Sequence, residues 1–138
     1  MRMDLSLNKA SQKKLEAALK KITLRVHEKS KVKMKQNAQA IMEESKAEVP
    51  VDTGTLLSTA FVGETDDNED GFGISFGYDG NALNPKNRTM AVRYMVQVHE
   101  DLTVHHEIGK AKFLEDPVRR NESKLLRDIA LAVKESVK

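Results

Sequence analysis

The sequence contains no cysteine and no tryptophan. The first absence excludes disulfide stapling, thiolate metal sites and cysteine nucleophiles. The second, with only two tyrosines and four phenylalanines in 138 residues, leaves a thin stock for a core and suggests that neighbouring subunits complete part of the surface. No apolar run approaches the ~20 residues needed to span a membrane. The segment Met1-Arg2-Met3-Asp4-Leu5-Ser6-Leu7 lacks the uninterrupted apolar stretch of a secretory signal. A soluble protein made in a cytoplasm is the expectation. Neither sign of charge predominates, with 23 Lys and Arg against 21 Asp and Glu and a formal net charge of +2. By length the chain is a single domain.

What is present is unevenly placed. From Lys9 to Lys35 there are ten Lys or Arg against Glu16 and Glu28, whereas residues 64–70 hold five acids and no base. A basic segment of this kind meets nucleic acid or an acidic partner, or is a solvated helix face. Met3 to Leu7 alternates apolar and polar residues, as a short strand or docking arm would. Leu15, Leu19, Ile22 and Val26 then follow at helical spacing, and the pattern resumes at Ala38, Ile41, Met42, Ser45 and Val49. Unbroken from Asn8 to Ala47, such a helix would be about 60 Å long. It therefore either breaks near Lys29–Lys35 or projects beyond a globule whose radius of gyration would be ~14 Å.

At Val49-Pro50-Val51-Asp52-Thr53-Gly54-Thr55-Leu56 the helix should stop. Pro50 lacks the backbone donor and pushes Val49 towards an extended conformation. Asp52 and Thr53 can accept from nearby amides, Gly54 permits positive φ, and a short helical turn over Gly54–Ser58 is expected. Taken alone, this octapeptide is a helix stop with a turn. A strand through Thr59–Val62, an acidic hairpin loop over Asp66–Gly71, and a strand over Phe72–Tyr78 follow. In the second strand Phe72, Ile74, Phe76 and Tyr78 share one face, and Gly73, Ser75 and Gly77 the other. The aromatics read as core, since a single-strand nucleic-acid platform would interleave them with basic residues. Residues 79–89 form a long loop, mobile or an interaction element. Ala91–Glu100 reads as a second β pattern from the alternation of Tyr94, Val96 and Val98. In the last helix Asp116 is the N-cap candidate and Pro117 the first helical residue, with Val118, Leu125, Ile129, Ala132, Val133 and Val137 as its stripe.

Catalytic chemistry finds little support. Two zinc-binding histidines on a helix need a spacing of four with a Glu between them. His99, His105 and Glu107 are out of phase for that and read as hydrogen-bonding or interfacial, and His27 reads as solvated. No Ser, His and Asp set has an elbow context, and the glycines lie in a strand rather than a phosphate loop. The expectation is no enzyme, no metal and no cofactor.

Three segments, in order, resemble the neck or tail-component proteins of long-tailed bacteriophages, also called tail completion or minor capsid proteins. The corner with Pro50, Asp52, Thr53, Gly54, Leu56 and Ser58 resembles that family's first signature. Tyr94-Met95-Val96-Gln97-Val98-His99-Glu100 is similar to its second, and Gly109-Lys110-Ala111-Lys112-Phe113-Leu114-Glu115-Asp116-Pro117 to its third. The resemblance spans about residues 8–137; Asp101-Leu102 stands where the family often has Gly-Thr, and the 79–89 loop is longer than usual. It implies an α+β subunit with a long N-terminal helix or two consecutive helices (1–48), a small antiparallel sheet region (49–115) and a C-terminal amphipathic helix (116–138). It further implies a structural virion protein at the head–tail junction, forming a sixfold or twelvefold ring. Partners would be head-completion or adaptor proteins, tail-terminator or tail-tube proteins, and packaged DNA. Lys29, Lys31, Lys33 and Lys35 would face that DNA or an acidic surface such as a neighbour's 64–70 loop. A stand-alone DNA-binding protein using the basic helix is the alternative, and a metal-dependent hydrolase the third.

Overall fold

The computed structural model describes residues 1–51, 54–80, 91–103 and 109–138, and the side chains of all of these except 91–94. The architecture is α+β, as expected: α1 (Lys9–Glu48), α2 (Thr55–Ser58), β1 (Ala60–Asn68), β2 (Gly71–Tyr78), α3 (Ala91–Glu100) and α4 (Glu115–Ser136). The two strands form one antiparallel hairpin.

Helix α1 is unbroken, and both its ends have local causes. The Asn8 side chain accepts from Ser11 N at 2.8 Å, satisfying one of the amides a helix start leaves free. At the other end Val49 is extended ahead of Pro50, although its amide still donates to Ser45 O. The helix therefore projects rather than breaks. Residues 9–21 are exposed, apart from half-buried Ser11. The stripe expected to need cover, Leu15 and Leu19, is bare, and Ile22 and Val26 are half-buried.

Two elements cover the remainder of α1. The hairpin lies along it from Tyr78, whose hydroxyl meets Ser45 Oγ at 2.8 Å, to Asp67 at the level of His27 and Lys31. Helix α4 runs antiparallel to α1, with Arg120 beside Glu44 and Glu48, and with Ser136 Oγ, which donates to Ala132 O, 3.4 Å from Arg25 O. The core is Met42, Val49, Leu56, Tyr78, Val98 and Phe113, with Leu57, Ala60, Val62, Phe76, Met95 and Leu114 against it. Of the strand face expected to be core, Tyr78 is core and Phe76 packs on it, whereas Phe72 meets His27 instead.

Four expectations are corrected. Residues 91–100 form a helix, not a strand: Val98 is buried and Met95 packs on the core, a spacing of three that fits a helix face, while Val96 is 56% exposed. β1 continues through the acidic segment to Asn68, leaving only Glu69 and Asp70 as the turn. Helix α4 begins at Glu115 with Leu114 before it, so Asp116 and Pro117 lie in its first turn. Its buried face holds Pro117, Ala132 and Ser136, while Val118, Val133 and Val137 are exposed. The α1–α4 seam is largely polar: Asn37 donates to Asp128, Lys124 pairs with Asp128, and Asn121 donates to Glu44.

Candidate functional site

Two constructions are built on α1, a joint at its C-terminal end and a clasp near its middle. At the joint, Gly54 takes φ +75° before α2, the positive φ its sequence context predicted. Its carbonyl accepts from Ser58 N, Ser58 Oγ donates to Thr55 O, and Leu56 is buried. Pro50 is also buried; Asp52 and Thr53 lie outside the described residues.

Gly109, 59 residues beyond Pro50 in the chain, closes the corner. Its φ is +90°, and a Cβ added there would lie 2.6 Å from Val49 C and 2.7 Å from Glu48 O. Glycine is therefore required twice over, for its conformation and for close backbone approach. The next amide, Lys110 N, donates to Glu48 O at 2.9 Å and satisfies a carbonyl that the helix end would leave unpaired. Lys110 Nζ lies between Glu48 and Asp116, at 3.3 and 2.8 Å. Asp116 holds its pKa below the ordinary value because Lys110 donates to it.

Phe113, 1% exposed, meets Tyr78 and His99 edge-on at centroid distances of 5.5 and 5.0 Å. Lys112 N donates to His99 O at 2.8 Å, and Lys112 Nζ pairs with Glu100 and Glu115. Glu100 is held below its usual value, first by Lys112 and then by His99, whose Nδ1 meets it at 2.7 Å. Burial is the main cause raising the Tyr78 hydroxyl. Leu114 packs on the core and Pro117 is buried. Thus Pro50, Leu56, His99, Glu100, Gly109, Phe113 and Leu114 meet in one joint, with Gly54 setting the turn into α2. The Tyr94 side chain and His105, His106 and Glu107 fall outside the described residues.

The clasp was not legible in advance. Lys31 Nζ pairs with Glu64 at 2.9 Å and with Asp67, Lys35 pairs with Glu64 at 3.1 Å, and His27 Nε2 meets Asp67 at 2.7 Å. His27 is therefore not merely solvated: its ring also meets Phe72 edge-on at 4.9 Å. Glu64 and Asp67 are three apart and would face opposite sides of a regular strand. The register shift between Thr65 and Asn68, with Asp66 at φ 43°, brings both onto the helix. Both carboxylates are held below their ordinary values, chiefly by Lys31, and Lys31 is raised, chiefly by Asp67. Of the four lysines expected to face DNA or a partner, Lys31 and Lys35 thus face the chain's own hairpin. Lys29 is exposed and Lys33 half-buried, neither in an ion pair among the described residues.

Among the described residues no group of three His, Asp or Glu is arranged to hold a metal, and no helix is long and apolar enough to cross a membrane. No protein-family model, curated protein or solved structure is significantly similar to the chain. The functional reading therefore rests on the joint, the clasp and the uncovered helix.

Proposed function

We propose that this chain is a structural subunit of the head–tail junction of a long-tailed bacteriophage. As a neck or tail-completion protein it would assemble in a ring between the DNA-filled head and the tail. The observation that carries the reading is the joint: three distant segments that resemble the family's signatures meet around Glu48–Pro50. Gly109 presses on the corner, and Phe113 joins the strand end at Tyr78 to His99 of α3. A joint clamped from three sides sets the angle at which α1 leaves the domain. The uncovered α1 segment is then a rigid arm available to other subunits. Partners in this reading are copies of the chain and the adjoining head-completion and tail proteins, with no cofactor.

Mass spectrometry of purified particles tests it. The chain is expected at a low, ring-like copy number, and its absence from mature particles would overturn the proposal. A second reading, a DNA-binding protein, draws on Lys9, Lys13, Lys14, Lys20, Lys21, Arg25 and Lys29, which make no ion pair among the described residues. It requires duplex binding that weakens steeply with salt, with a slope that reports the phosphates neutralised.

A further inference from the structure

The clasp leaves charge of both signs unspent. Positions 9, 13, 20, 27, 31 and 35 of α1 are separated by four or seven residues and so share one helix face. The hairpin occupies its lower part, at His27, Lys31 and Lys35, and then turns back at Glu69-Asp70. Lys9, Lys13 and Lys20 continue the row with no ion pair among the described residues. At the hairpin tip, Asp66, Glu69 and Asp70 are exposed and equally without one. Lys20 and Glu69 line the same open groove of about 520 Å³, together with Leu24 and Asp67. Lys13 and Lys9 lie about 10 and 17 Å farther along the helix, by its rise per residue. The hairpin tip, level with Lys20, is held about two to three turns below them.

We infer that the acidic hairpin tip of one copy docks on the bare basic row of a second copy. The choice of occupant follows from charge. A polyanion on the row would also meet the acidic tip beside it, whereas a second copy offers an acidic tip to the row and a basic row to the tip. The contact repeats between chains the pairing that Lys31 and Lys35 make within one. Exposed Leu24, beside Lys20, supplies the apolar contact. Exposed ion pairs give register and encounter rate more than affinity, so the association is weak and salt-sensitive. It joins unlike surfaces, head to tail, and such contacts close into rings or run on as filaments. The inference rests on the assembly reading only in requiring that copies of the chain meet.

Sedimentation velocity at about 50 mM and about 500 mM salt tests it, the two conditions bracketing the change from weak to strong screening. The wild type is expected to associate at low salt and dissociate at high salt. K9E/K13E/K20E and D66N/E69K/D70K should each be monomeric at low salt with unchanged helical circular dichroism. Their equimolar mixture should associate again, because reversed rows meet reversed tips and native rows meet native tips. Lys→Gln at the same three positions, which removes charge without reversing it, should lower the association constant less than reversal does. A wild type monomeric at low salt, wild-type-like association of either reversed variant, or a mixture that stays monomeric would each overturn the docking. Duplex DNA binding by the wild type without self-association would assign the row to nucleic acid, with the same consequence. Association that persists in both variants would leave the assembly reading standing, whereas absence from particles removes that reading without touching this contact.

Discussion

Between Ser30 and Glu48, α1 buries Ser30, Asn37, Ala38, Ile41, Met42 and Ser45 under the hairpin and α4. Between Lys9 and Lys21 the same helix buries no residue and leaves Leu15 and Leu19 about half exposed. The difference does not follow aliphatic content alone, since the covered part holds Ser30, Asn37, Ala38 and Ser45 beside Ile41 and Met42. Small residues let a second helix approach, and Asn37 and Ser45 are satisfied by Lys33 O, Asp128 and Tyr78. Cover is set by how far the hairpin and α4 reach, and both end near Arg25–His27. The aliphatic stripe continues past that point without cover, and in the proposed assembly it is the surface another chain would take.

The contrast depends first on the joint that anchors the covered part, and the largest effect should come from breaking it. Gly109→Val combines a left-handed φ with overlap against the Glu48–Pro50 backbone and should cost about 3–5 kcal/mol. Gly54→Val has the same φ problem, but no atom lies within 4 Å of the added Cβ, so about 1–2 kcal/mol is expected. Urea unfolding midpoints at constant slope would rank the two. Equal midpoints would mean that Gly109 does not clamp the corner. Between these two in expected size, Met42→Ala, at a side chain 1% exposed, should cost about 2–5 kcal/mol by lost burial and a residual cavity.

Acid should separate the two parts of the helix by another route. Glu64 and Asp67 have folded values below the ordinary 4.5 and 3.8. Their contribution is thus complete above pH 4.5 and lost as pH falls through the lower folded values. Lys31 is shifted up, so its contribution is complete below the ordinary 10.5 and lost only as pH rises through its folded value. Hydrogen exchange, corrected for intrinsic rates, should show β1 from Glu64 to Asn68 losing protection on acidification below pH 4.5. Residues 9–21, which have no ion pair among the described residues to lose, should not respond. Unchanged β1 protection at pH 3 would show that the ion pairs do not hold the hairpin.

Much of this layout was legible because local chemistry marks it. Asn8 starts α1, Pro50 stops it, and the two-residue period from Phe72 to Tyr78 marks β2. The failures share a cause in tertiary contacts that leave no period in the sequence. Tyr94, Val96 and Val98 alternate, yet Met95 and Val98 fit a helix face equally well, and burial against Phe113 and Leu56 decides. The α1–α4 seam uses Asn37, Asn121, Asp128 and Ser136, residue types that an apolar-stripe search passes over. At the joint, Gly54 could be read from its turn, but the requirement for Gly109 appears only when Glu48–Pro50 lies against it. The clasp needed the irregularity at Asp66, without which Asp67 would face away from His27.

The smallest expected effect sharpens the comparison most. Leu15→Ser and Leu19→Ser remove aliphatic side chains larger than several in the covered part. Even so, each should change monomer stability by no more than about 0.5 kcal/mol, because neither side chain leaves a packed site. Helix propensity accounts for most of that, Ser being a slightly poorer helix former than Leu. In the proposed assembly, where a neighbouring copy would cover this stripe, the same substitutions should weaken association between copies. Chemical unfolding of dilute protein at about 500 mM salt isolates the monomer term, and sedimentation at about 50 mM salt reads the other. Should Leu19→Ser unfold the monomer at a clearly lower urea concentration, residues 9–21 are covered within one chain. The projecting arm, and with it the distinction between the two parts of α1, would then be wrong.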